Sequence, residues 1–158
     1  MIQKLFRTNH DIGLTLVRLP LGVVFFAHGS QKMLGWFGGN GFSATMGFFE
    51  NQMHLPAILA FLAIAAEFFG GLGLILGLLG RVAAFGIFIN MLVAIFVVHL
   101  SNGFFMNWSG QQKGEGFEYH LLVLGMTLAI MLAGSGAFSL DEAIYRNSAY
   151  APSRLRTA

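Results

Sequence analysis

Charge and cysteine are what this chain lacks. Only 10% of its 158 residues are Asp, Glu, Lys or Arg, where a soluble domain carries about a quarter. So thin a supply of charge excludes a water-facing surface over most of the molecule. There is no cysteine, which excludes a disulfide framework, a thiolate metal site and a CxxC redox centre within the chain. Also absent are a Walker loop, HExxH, GxSxG and a dinucleotide fingerprint between a strand and a helix, which argues against a self-contained hydrolase or a nucleotide-driven enzyme. Proline is scarce, with three in the whole chain.

What is present is apolar. Hydrophobic residues make up 56% of the chain, and the mean hydropathy is +0.69. Four apolar runs stand out, Ile12 to Leu34, Leu55 to Leu79, Val82 to Leu100 and Phe117 to Ala133. At 1.5 Å per residue each approaches or exceeds a hydrocarbon core of about 30 Å, the last with some tilt or adjustment. The expected fold class is all-α, a four-transmembrane-helix bundle with aromatic outward loops. A single transmembrane domain is expected over residues 1–145, followed by a polar cytoplasmic tail over 146–158 with Pro152 and the terminal arginines loosely ordered. Lys4 and Arg7 before the first run resemble a signal-peptide start, but the run continues to Leu34 without a small-residue cleavage site, so it reads as a retained helix.

Gly80 and Arg81 alone separate the second run from the third, which makes those helices antiparallel neighbours. The long connections, Gly35 to His54 and Ser101 to Gly116, then lie on one side. They hold Trp36, Phe37, Phe42, Phe48, Phe49, Phe104, Phe105 and Trp108, the residue types that settle at a membrane interface. A lid or short re-entrant turns are expected there. Lys4, Arg7, Arg81, Arg146, Arg154 and Arg156 fall on the other side, against Lys32 and Lys113 on this one. The positive-inside rule places both termini in the cytoplasm, and a bacterial-type inner membrane is the expected location. The net charge of +2 comes from basic residues scattered singly near helix ends, a topology signal rather than a nucleic-acid footprint. Gly22 and Gly29 in the first helix and Gly70, Gly73 and Gly77 in the second are natural sites of close helix contact.

Ionisable groups inside a membrane are costly and are functional candidates by default. The first helix holds Arg18, His28, Gln31 and Lys32. Arg18 and Lys32 share a face with Gly22, Phe25 and Gly29, with His28 one turn before Lys32. Glu67 lies near the bilayer midplane, within reach of Arg18, so a core ion pair of Arg18 with Glu67 is expected. The sharper alternative gives Glu67 a role in proton exchange or in binding a ligand head group. Asn90 sits near mid-depth in the third helix. By depth, His28, Gln31, Lys32, His99, Asn102, Glu118 and His120 fall in one layer under the aromatic loops and, with Glu67, form the candidate ligand site. The competing structural reading has them satisfy loop backbone and each other. Three histidines admit haem or a metal, but they lie on three helices with no HxxxH spacing, so no metal site is expected and a quinone carbonyl is favoured over haem. His10 and His54 read as surface residues, Pro20 as a tolerated membrane proline that frees the Leu16 carbonyl. Asn107-Trp108-Ser109 matches a glycosylation acceptor, a triplet too frequent to carry weight.

Taken together, Arg18, His28-Gly29-Ser30-Gln31-Lys32, Gly35-Trp36-Phe37-Gly38-Gly39, Glu67 with Gly70-Gly71, His99-Leu100-Ser101-Asn102-Gly103-Phe104-Phe105, Gly116-Phe117-Glu118-Tyr119 and Gly136-Ala137-Phe138-Ser139-Leu140-Asp141 resemble the DoxX family of small four-helix membrane proteins over roughly Gly13 to Asp141. The resemblance implies an association with quinone-linked oxidoreductase subunits and with redox or oxidative-stress systems. The function expected on this footing is a quinone-like small-molecule binding protein or an accessory subunit of a membrane oxidoreductase, in contact with the lipid bilayer and in a homo- or hetero-oligomer. A structural or assembly subunit without its own ligand and a small-solute transporter are the alternatives.

Overall fold

The computed structural model describes residues 5–150, with side chains through 147. Six α-helices run in the order α1 (Ile12–Leu34), α2 (Gly41–Asn51), α3 (Ala57–Leu76), α4 (Gly80–Ala94), α5 (Glu118–Ala133) and α6 (Leu140–Tyr150). Three helical stretches, Ile12–Leu34, Ala57–Leu76 and Gly80–Asn102, are long and apolar enough to cross a membrane, and α5 is a shorter apolar helix. With 16 residues, α5 covers roughly 24 Å at the α-helical rise. The four long helices close a ring in which α1 packs on α3, α3 on α4, α4 on α5 and α5 on α1. This is the all-helical membrane bundle that the apolar runs predict. The chain enters α1 and leaves α5 at the same end, where the Ala137 amide donates to the Asp11 carbonyl at 3.0 Å.

Each helix boundary has a local cause. Asp11 caps α1 by accepting from the amides of Gly13 and Leu14 at 2.7 and 3.3 Å, and Gly35 ends it in the left-handed region at φ 75°, where a residue without Cβ is unstrained. Pro20 lies inside α1 without ending it. Gly77 closes α3 with φ 64°, and the chain turns at once into α4, the tight antiparallel hairpin that Gly80 and Arg81 predict. The core between the helices is built from Leu21, Phe25, Leu74, Ala84, Ile87, Met91, Val123 and Ile130.

Glycine sets how closely α1 and α3 approach. A Cβ on Gly29 would lie 2.4 Å from the Phe68 backbone, and one on Gly71 would lie 2.3 Å from the Phe26 amide nitrogen. Gly22 makes the same kind of contact with Ile75. Gly22 and Gly29 are the expected contact positions. On α3, however, Gly71 meets α1, while Gly70 faces Ala83 and Ile87 of α4 and Gly77 faces Ser139 and Arg18. The small residues are therefore spent inside the chain, and a glycine stripe presented to a partner is not formed by Gly70 and Gly77.

At the end away from the termini, the first connection forms a short 3-10 turn over Trp36–Gly38 and the helix α2, which packs on α1 and α3. The second is irregular and doubles back, with the amides of Gly116, Phe117 and Glu118 donating to the carbonyls of Phe105, Gly103 and Phe104. Phe37, Phe105 and Trp108 are exposed, Trp108 at 88%. At the opposite end α6 runs past residue 145, so the first part of the polar tail is helical; residues 151–158, with Pro152, Arg154 and Arg156, lie outside the described residues, as does Lys4.

Candidate functional site

Two polar centres occupy the apolar bundle. The first joins α1, α3 and α4. Lys32 Nζ donates to Glu67 Oε2 at 2.5 Å, and Asn90 Nδ2 donates to Glu67 Oε1 at 3.0 Å. Both carboxylate oxygens are thus engaged on a residue only 7% exposed. The register follows from the glycine contact: Gly29 rests on the backbone of Glu67 and Phe68, and Lys32, three residues on, emerges from the same helix face.

Further along the chain, α5 contributes His120, and the π-turn Ile95–His99 that follows α4 contributes His99. Uninterrupted α-helical winding would set His99 about half a turn from Asn90; the wider turn takes up part of that angle. The two imidazoles lie against each other with centroids 4.1 Å apart and planes inclined by 42°. His99 Nδ1 is engaged by the Glu115 carbonyl at 2.8 Å. His120 is 5% exposed, and its Nδ1 has no hydrogen-bond partner among the described residues. An orphaned buried ring nitrogen is expensive, which makes His120 Nδ1 the one candidate here for a polar ligand atom among the expected site residues described.

The remaining expected site residues divide. Gln31 Nε2 donates to the Phe37 carbonyl at 3.3 Å, holding the 3-10 turn. Asn102 Nδ2 donates to the Glu115 carbonyl at 3.2 Å. Glu118 Oε1 accepts from the Met106 amide at 2.8 Å and from Trp108 Nε1 at 3.4 Å. These three side chains satisfy loop backbone and the loop tryptophan, as the structural reading has it. His28 does not join the layer: it is exposed, on the α1 side shared with exposed Val24, because a position next to Gly29 cannot share the face that Gly29 presses against α3.

The expected ion pair of Arg18 with Glu67 is not formed. Arg18, 1% exposed, donates through Nε to the Ser135 carbonyl at 2.8 Å, through Nη1 to the carbonyls of Ile75 at 2.8 Å and Leu74, and through Nη2 to Phe138 at 3.3 Å. It closes the last turn of α3, whose unpaired carbonyls and dipole favour a cation. Glu67 takes Lys32 instead.

Arg18 belongs to the second polar centre, at the end where the termini lie. Asp141, 1% exposed, accepts from the amides of Leu79 and Gly80 at 2.7 and 3.0 Å and from Ser135 Oγ at 2.5 Å, capping the start of α4. Thr15 Oγ1 donates to the Ala137 carbonyl at 2.6 Å. Asn90, Asp141, Ser135 and Thr15 are absent from the sequence-based site; the closing Gly136 to Asp141 motif was the available signal for the second centre, and Asn90's mid-depth position for the first. Every polar atom named here in the second centre has a protein partner, so its role is to lock the α3–α4 turn.

A family model described as DoxX matches residues 13–100, a stretch that contains Arg18, Lys32, Glu67, Asn90 and His99 and ends before His120. The chain is 30% identical over 138 residues to a Bacillus subtilis protein named "Putative oxidoreductase CatD", covering 87% of this chain and 91% of that protein. It is 26% identical over 132 residues to the Escherichia coli "Inner membrane protein YqjF", covering 84% and 92%. No solved structure matches the chain.

Proposed function

The chain belongs to the DoxX family, and from that premise we propose that it is an inner-membrane component of a redox system, binding the polar head of a quinone-like molecule in the half of the bundle that holds Lys32, Glu67, Asn90, His99 and His120. The observation that carries this reading is the buried, unpartnered Nδ1 of His120 beside a second imidazole. A quinone offers two carbonyl acceptors on a flat apolar ring. The Nδ1–H tautomer of His120 would donate to one carbonyl, with the tilted ring of His99 beside it.

The relatives' printed names, an oxidoreductase and an inner membrane protein, support the redox setting and the membrane. A quinone, when bound, accepts two electrons and two protons; this chain's own part is to hold the head group, with the Lys32–Glu67 pair as the groups that would exchange a proton. Electrons come from a partner oxidoreductase subunit. Both termini face the cytoplasm in this reading, which rests on the excess of Lys and Arg at their end.

The test is thermal stability of the purified protein against a short-tailed ubiquinone analogue. A saturable rise in Tm is expected in the native protein, and His120→Phe, which keeps the buried ring and removes its nitrogens, should abolish the rise while leaving the ligand-free Tm nearly unchanged. An equal rise in His120→Phe would remove His120 from the site, and no saturable rise with ubiquinone or menaquinone analogues would defeat the quinone reading and favour a structural subunit.

A further inference from the structure

At the end where the termini lie, a groove of about 450 Å³ opens between the segment before α1, the start of α4 and the end of α5, lined by Arg7, Thr8, Asn9, Arg81, Leu132 and Ala133. Two of these six carry positive charge and none carries negative charge. Among the described residues neither arginine takes part in an ion pair, whereas Arg146 pairs with Glu142 at 2.7 Å. Arg81 is fixed by neutral acceptors: Nε and Nη2 donate to the Arg7 carbonyl at 3.3 and 3.1 Å, and Nη1 donates to the carbonyls of Leu132 at 2.9 Å and Met131. Those bonds hold the guanidinium in place and leave its charge uncancelled apart from the C-terminal dipole of α5. One of its five N–H donors remains uncommitted.

The groove's position limits what can fill it. Its floor is the last turn of α5, so it lies where a membrane helix passes from hydrocarbon to head groups. Leu132, 72% exposed, gives the groove an apolar wall on the α5 side. A ligand that matches both parts has an anionic, oxygen-rich head and a hydrocarbon chain. We propose that the groove binds an anionic phospholipid of the adjoining leaflet, its phosphate held by Arg7 and the remaining N–H of Arg81 and the start of one acyl chain lying along Leu132. Basic recesses between transmembrane helices suit lipid phosphates for this reason. The site is independent of the quinone reading, since it shares no residue with it.

Native mass spectrometry of the full chain in mild detergent, titrated with dioleoyl phosphatidylglycerol or dioleoyl phosphatidylcholine, tests the proposal. Phosphatidylglycerol should bind in preference to phosphatidylcholine. Arg7→Gln, whose side chain makes no hydrogen bond among the described residues, should weaken phosphatidylglycerol binding about fivefold, the effect of one basic side chain at an anionic surface. Asn9→Asp, which sets a carboxylate in the groove, should weaken it at least as much, and Lys113→Gln at the far end should leave it unchanged. Equal binding of the two lipids, an unaffected Arg7→Gln and Asn9→Asp pair, or an equal loss in Lys113→Gln would overturn the proposal. So would displacement of the lipid by inorganic phosphate at comparable concentration, because the contact with Leu132 would then contribute nothing.

Discussion

Lys32 reaches from α1 to Glu67 in α3 with 2.5 Å between ammonium and carboxylate, and Gly29, one turn earlier, is the residue that makes the reach possible. A side chain at Gly29 would strike the backbone of Phe68 at 2.4 Å. Helix contact and ion pair are thus one device, in which the missing Cβ brings the axes together and the charges fix their axial offset. Asn90 then ties α4 to the same carboxylate.

Breaking the pair from one side should cost stability. Lys32's side chain is 26% exposed, so Glu67→Gln is expected to cost about 2–3 kcal/mol, less than for a fully sealed pair. The double change Lys32→Met with Glu67→Gln should cost less than the sum of the two single changes. Denaturation in mixed micelles measures all three, and strict additivity would mean that the contact carries no coupling.

Arg18 and Glu67, by contrast, should behave independently. Arg18→Gln and Glu67→Gln share no partner, so their effects should add within about 0.5 kcal/mol. Arg18→Lys keeps the charge but not the fork that serves four carbonyls, and a loss of about 2 kcal/mol is expected. A wild-type unfolding midpoint in Arg18→Lys would show that charge alone is what the α3 terminus requires.

Glycine positions separate sharply. Gly29→Ala and Gly71→Ala force backbones apart and should each cost about 1–3 kcal/mol. Gly125 in α5 has open space where a Cβ would stand, so Gly125→Ala should be neutral or stabilise by up to about 1 kcal/mol through helix propensity. Midpoints in the order Gly125→Ala, wild type, Gly29→Ala are the expected result; the reverse order would refute the close-contact argument.

Glu118 holds the second long loop through the Met106 amide and Trp108 Nε1. Glu118→Ala should speed hydrogen exchange at Met106 and change the emission of Trp108, while leaving exchange within α1 and α3 at its native rate. Exchange at Met106 as slow as in the native chain would mean that the loop's own backbone bonds suffice.

The helices were legible in the sequence because their signal is local. Apolar run length, Gly35 and the Gly80-Arg81 break lie within a few residues of the boundaries they set, and α1 begins and ends where its hydropathy does. The inward face of α1, with Arg18, Gly22, Phe25 and Gly29, follows from helical period alone. The four apolar runs and the family resemblance needed nothing more. Partner choice was another matter. Arg18 and Glu67 both read as unpaired charges of opposite sign, and depth along separate helices cannot tell which of Arg18 and Lys32 meets Glu67, at a sequence separation of 35 for the pair that forms. That depends on the axial offset and rotation of α1 against α3, set by Gly22, Gly29 and Gly71 together, and on the return of residues 134–141, whose carbonyls claim Arg18 and whose Asp141 claims the α3–α4 turn. His28 and His120 divide for the same reason. Sequence gives each residue's depth, but only the assembled helices decide which side of that depth faces lipid and which is sealed inside.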